Sequence, residues 1–184
     1  MRSITRRDRS RTRSAGFTLL ELVTVIIIAS ILAGVLIGRF LIYLEIGEKT
    51  AMEQTVGAIR SGLNIQMAGL ITRCRMEDIP RLVGTNPMKF LAGQQKNFAG
   101  EFYGGKLPEI APGSWYFDMK DKYLVYLVDR DAHFVPGADG QKWVRFRLSP
   151  VFNESFQDGS QKSLVKEIGG VVLEEVEPYK WFAK

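Results

Sequence analysis

Glu21 is the residue in this sequence whose type and place most demand a chemical reason. It lies five residues after Gly16 and directly before residues 22–38, a run of 17 without a charge. A carboxylate at the centre of a bilayer costs about 2.5–3.5 kcal/mol on insertion scales, so a group kept there has a use. The bland alternative is an acid tolerated at the membrane interface. Near a helix start the cost falls further, since the helix dipole favours a negative charge within the first turn.

The other reactive residue types exclude most catalytic schemes. His133 is the only histidine, so it is the one base open to a Ser-His-Asp arrangement, and no G-x-S-x-G segment accompanies it. P-loop and dinucleotide fingerprints are absent. Cys74 is the only cysteine, which excludes an intrachain disulfide; without Cys or His companions it reads as a packing residue, not a nucleophile or metal ligand. Asp129, Asp131 and Asp139 offer oxygen ligands in a late loop, a calcium candidate whose spacing matches no EF-hand. The chain is expected to be no enzyme and to need no cofactor.

The charge is unevenly placed. Of 25 basic and 20 acidic residues, residues 1–16 hold six arginines (Arg2, Arg6, Arg7, Arg9, Arg11 and Arg13) and one acid, Asp8. That leaves 19 of each sign in residues 17–184, so the +5 net charge belongs to the leader and nucleic acid is not an expected partner. Arg145 and Arg147, beside Trp143, read as a solvated strand face.

The uncharged run of 17 at residues 22–38 is about the minimum length for a membrane-spanning helix, and the apolar character extends over residues 17–44 apart from Glu21 and Arg39. An ordinary secretory signal is shorter and is cut behind its apolar region at a small-x-small site. Here Ile31-Leu32-Ala33 puts a bulky residue where a small one is wanted. Arginines on the N-terminal side keep that end in the cytoplasm and leave the rest outside the inner membrane. Charge and hydropathy alone fit a simple signal anchor equally well.

The junction Ser14-Ala15-Gly16-Phe17-Thr18-Leu19-Leu20-Glu21-Leu22-Val23 strongly resembles the signature of type IV prepilins. Basic leader, glycine, Phe-Thr-Leu-x-Glu and apolar run occur in order. The resemblance implies cleavage between Gly16 and Phe17 by a prepilin peptidase, N-methylation of Phe17, and an assembly segment of Thr18, Leu19, Leu20 and Glu21. It assigns Glu21 to pairing with the new amine of an adjacent subunit, and Arg6, Arg7, Arg9, Arg11 and Arg13 to leader topology. The glycine has its own physical sense, since it leaves the scissile backbone unhindered.

Past the membrane segment the pattern becomes striped. Met52, Val56, Ile59, Leu63, Met67 and Leu70 follow at steps of three and four, one face of a helix. No proline occurs between Phe17 and Ile79, so a continuous helix over residues 17–73 is expected, about 85 Å long, with Pro80 ending it. Its glycines, from Gly34 to Gly69, either weaken it or mark close packing. Residues 74–112 read as a loop-rich connection with one short helical turn near residues 88–91. Strands are expected at residues 113–118 and 122–129 as a hairpin, at 142–148 with Val144, Phe146 and Leu148 on one face, and at 170–176.

The expected fold class is α+β and pilin-like: a long N-terminal helix packed on a small antiparallel sheet. The divisions are leader 1–16, assembly half 17–44, amphipathic half 45–73, connection 74–112, and sheet 113–184. The resemblance implies a minor pilin or type II secretion pseudopilin, with no cysteine pair to close the C-terminal loop of a major adhesive pilin. Its partners would be the prepilin peptidase, other pilin or pseudopilin subunits and the inner-membrane assembly platform. The chain would span the inner membrane once, with a periplasmic domain, before joining a filament. The alternative is a signal-anchored periplasmic binding or sensor domain that never polymerises, for which a carboxylate at position 21 has no use.

Overall fold

A computed structural model of the chain describes residues 17–104, 109–156 and 164–182. The chain divides into two units, Met1–Ile42 and Tyr43–Lys184. One helix, α1 (Leu19–Thr72), contributes to both.

In the first unit α1 is apolar all round, and its large side chains from Phe17 to Leu41 are exposed, Leu20 at 76% and Leu36 at 69%. It is long and apolar enough to cross a membrane. Its hydroxyls make no demand on the surroundings: Thr24 Oγ1 donates to the Leu20 carbonyl at 2.8 Å and Ser30 Oγ to that of Ile26 at 2.7 Å. The helical backbone groups and these two hydroxyls are thereby satisfied within the helix, as a span in lipid requires.

In the second unit the stripe does what its spacing predicts. Met52, Val56, Ile59 and Leu63 are buried, with Met67 and Leu70 half-buried beside them. They share one core with the inner face of a five-stranded sheet of order β1-β2-β3-β5-β6, built from β1 (Phe98–Phe102), β2 (Trp115–Asp118), β3 (Tyr123–Leu127), β5 (Trp143–Phe156) and β6 (Leu164–Glu175). That face supplies Trp115, Phe117, Leu124, Tyr126, Val144, Phe146, Leu148, Val171 and Leu173, all buried. β4 (Phe134–Val135) and β7 (Lys180–Trp181) form a separate small ladder, with Phe134 edge-on to Trp181 at 5.2 Å. Side chains of α1 also serve the outer edge of β6. Arg60 Nε donates to the Leu173 carbonyl at 3.3 Å, and the Val171 amide points at Met67 Sδ.

Several features differ from the sequence reading. α1 ends at Thr72, one residue short of the expected 73, but Pro80 is not what ends it. The Arg75 amide returns to the Leu70 carbonyl and the Cys74 amide to that of Ile71, both at 2.9 Å, while Cys74 takes a left-handed φ of 53°. This is a Schellman cap with cysteine where glycine is usual. Cys74 is exposed, so it is a helix stop and not a packing residue. Pro80 lies inside a 3-10 segment, Met76–Leu82.

The stretch expected as a loop-rich connection contains a strand, β1, which pairs parallel to β2, so the sheet is mostly and not wholly antiparallel. Its alternation is thin: Gly100, at φ 128°, and a register shift interrupt it. β6 begins earlier than expected, because Gly169-Gly170 sits at a bulge opposite Val151 and Phe152 instead of ending the strand. The sheet's second face is also partly covered. Tyr116 and Val125 are buried there, with Phe102 edge-on to Tyr116 at 6.3 Å.

Gly62 faces the second 3-10 turn, Pro87–Phe90, so closely that a Cβ would lie 2.0 Å from the Phe90 carbonyl oxygen, whereas a Cβ on Gly57 would meet nothing within 4 Å. Gly62→Ala is therefore expected to destabilise the second unit by about 1–3 kcal/mol through overpacking. Gly57→Ala should stabilise it by about 0.5–1 kcal/mol through helix propensity. Urea denaturation of the detergent-solubilised chain, followed by tryptophan emission, separates the two.

Candidate processing segment and helix anchor

The start of α1 is set by Thr18. Its carbonyl accepts the first helical bond from the Leu22 amide at 3.1 Å, and its Oγ1 accepts from the Glu21 amide at 3.2 Å. Thr18 is thus the N-cap and Glu21 the third helical residue, the T-x-x-E spacing of a capping box. Phe17 lies outside the helix and is 69% exposed. Leu19 and Leu20 are exposed in the first turn, and Glu21 is exposed beside them. Among the described residues Glu21 makes no ion pair. Gly16 and the leader arginines Arg6, Arg7, Arg9, Arg11 and Arg13 lie outside the described residues.

A second set of carboxylates was not singled out by the sequence. Glu45 is 2% exposed, and its Oε1 accepts from the His133 amide at 2.8 Å and from Trp181 Nε1 at 3.0 Å. Its Oε2 faces His133 Nδ1 at 2.8 Å. One turn on, Glu48 accepts from the amides of Asp129 at 2.8 Å and Arg130 at 2.9 Å, and from the Tyr126 hydroxyl at 3.1 Å. The loop between β3 and β4 therefore closes its open N–H groups on two carboxylates of α1. Burial pushes the Glu45 carboxyl up, but the His133 ring and amide and the Trp181 indole outweigh this and hold it below its ordinary value. Burial, together with the Glu48 charge and hydrogen bond, keeps the Tyr126 hydroxyl firmly protonated.

The loop aspartates are each engaged elsewhere. Asp129 pairs with Arg130 at 3.1 Å and Asp131 with Lys142. Asp139 accepts from the Gln141 amide and Trp143 Nε1, and pairs with Arg145 at 3.0 Å. Among the described residues no three His, Cys, Asp or Glu side chains come together as a metal site. Arg145 and Arg147 do lie on the outer strand face, but neither is a free cation: Arg145 is shared by Asp139 and Glu177, and Arg147 pairs with Glu174 at 3.0 Å.

Residues 11–37 match the family model of the prokaryotic N-terminal methylation motif. No curated protein and no solved structure matches the chain. The motif is that of a structural, pilin-type segment and not of an enzyme, and it is consistent with a type IV pilin-like protein. The α+β layout, a long N-terminal helix against a small and mostly antiparallel sheet, matches pilin-like architecture.

Because the Glu45 carboxyl is held low in the folded chain, its contribution to stability is fully present above the ordinary value of 4.5 and is lost as pH falls through the lower folded value. Glu45→Ala should lower stability at neutral pH by about 3 kcal/mol, since it strands the His133 amide and the Trp181 N–H. It should also flatten the acid limb of a stability–pH profile measured by chemical denaturation.

Proposed function

We propose that the chain is a minor pilin or pseudopilin, a structural subunit trimmed by prepilin peptidase between Gly16 and Phe17 and methylated on the new Phe17 amine. The observation that carries this reading is the methylation motif over residues 11–37, set directly against a helix whose apolar surface is bare. Residues 1–16 are the leader, with Arg6, Arg7, Arg9, Arg11 and Arg13 holding it on the cytoplasmic side. Residues 17–44 first anchor the chain in the inner membrane and then form the assembly segment. Residues 45–73 are the amphipathic half of the helix, 74–112 the connection and 113–184 the sheet region of a domain on the periplasmic side.

Assembly follows from the same surface. Once the chain begins at Phe17, Glu21 is its fifth residue, and the amine of an adjacent subunit can meet it as the apolar helices pack side by side. Each charge then leaves lipid or water for a dry site where the other compensates it. Other pilin or pseudopilin subunits and the inner-membrane assembly platform are the partners this requires.

Intact-mass analysis of the membrane-extracted chain, with and without a co-expressed prepilin peptidase, tests the first step. A species beginning at Phe17 with one added methyl group, only when the peptidase is present, is the expected result. An untrimmed chain in both samples would leave a signal-anchored domain in its place. Glu21→Leu should be trimmed normally yet be depleted from sheared filaments by about tenfold or more, the loss expected when a paired charge in an apolar site is deleted.

A further inference from the structure

α1 meets the rest of the second unit in two chemically different ways. From Met52 to Leu63 the contact is apolar, with Met52, Val56, Ile59 and Leu63 between 0% and 5% exposed. Over residues 43–51 the only buried residue is Glu45, and its neighbour in the contact is Glu48, whose side chain is 6% exposed. Gly47 stands between the two, a weak helix former with nothing within 4 Å of a Cβ built on it.

We infer that Glu45 and Glu48 form a latch: residues 43–51 of α1 are fastened to the loop 129–133 by carboxylate–N–H bonds and can be released from it while Met52–Leu63 stays packed on the sheet. The amides of Asp129, Arg130 and His133 all end on these two side chains, while the loop's other backbone bonds, from the Phe134 amide to the Asp131 carbonyl and from the Phe182 amide to the His133 carbonyl, do not involve α1. The charged groups around the latch are few and accounted for. Lys49 donates to the Trp181 carbonyl and lies 3.7 Å from Glu53; Arg130 bridges Glu48 and Asp129; Lys142 holds Asp131. On the loop side Phe134 and Trp181 belong to the apolar core, so they stay in place when the loop lifts.

The physical basis is the difference between the two kinds of contact. Water can replace Glu48 as the partner of the exposed Asp129 and Arg130 amides, so breaking those bonds costs little more than their net value, while parting Glu45 from the half-buried His133 amide and the buried Trp181 N–H costs more. It cannot replace the packing around Ile59 or Leu63. A local opening of this sort is a separate, low-lying unfolding event beside the global one. Resting on the pilin-like reading, the use of such a latch is to let the helix upstream of Met52 change course on entering a filament without disturbing the sheet.

Hydrogen–deuterium exchange on the full chain in detergent micelles tests the latch, with Glu45→Gln/Glu48→Gln as the variant and Glu48→Gln alone as a milder one. At Glu48 both oxygens accept from backbone N–H groups, so the amide NH2 displaces one of them in either orientation, and at Glu45 the substitution removes the charge that faces His133 and Trp181. The expected result is exchange about tenfold or more faster over residues 43–51 and 129–133, with residues 52–63, 115–117 and 124–126 unchanged. Equal acceleration of all these segments would show that the helix start and the core open together, and no acceleration would show that the carboxylates do not hold the loop; either result overturns the latch. Both are independent of whether the wild-type chain is trimmed at Phe17, which tests the pilin-like reading separately.

Discussion

The structure depends on one helix meeting two surroundings. Over its first half α1 has no polar face, so that half cannot stay in water and must be covered by lipid or by other helices. Over its second half it has a single apolar stripe, which the sheet covers fully from Met52 to Leu63 and partly at Met67 and Leu70. The sheet has a reciprocal need. Trp115, Leu124, Phe146 and Leu173 are each no more than 1% exposed, and a helix supplying Ile59 and Leu63 closes the layer. A helix thus anchored in a folded domain at one end offers a bare apolar surface at the other.

Polar chemistry is placed to serve that division. In the apolar half, hydroxyls bond back to carbonyls one turn earlier, Thr18 caps the first turn, and Glu21 is the one acidic side chain over residues 17–44. In the second half, charge is spent inside the domain. Glu45 and Glu48 fasten the loop after β3, Arg60 reaches the edge of β6, and Arg145 lies between Asp139 and Glu177, stacked 5.2 Å from the Trp143 ring. Arg75 and Arg81 likewise both pair with Asp78.

Where a pattern was local and periodic, the sequence revealed it. The stripe Met52–Val56–Ile59–Leu63, the hairpin of β2 and β3, and the alternation of Val144, Phe146 and Leu148 all depend on residues close together in the chain. What it concealed depends on distant partners. Nothing near Glu45 in the chain marks it for burial, because the groups that bury it lie 88 and 136 residues away. β1 is a strand because β2 pairs with it in parallel, and its own glycine gave no such signal. α1 ends at Cys74 through a left-handed residue that composition does not mark, whereas the proline expected to end it sits in the next turn. The junction around Gly16 and Phe17 was legible for another reason: the methylation motif is a linear segment over residues 11–37, so its information lies in consecutive residues.

The central claim is that the bare surface of residues 17–44 is finally covered by the helices of other subunits. A photoreactive amino acid placed at Ile27, 54% exposed on that surface, tests it in cells that contain the peptidase and the assembly machinery. The account predicts crosslinks to the N-terminal helices of further copies or of partner pilins, formed by the chain trimmed to Phe17 and absent when the peptidase is missing. Adducts with lipid alone, unchanged by trimming, would contradict it and leave the helix an anchor.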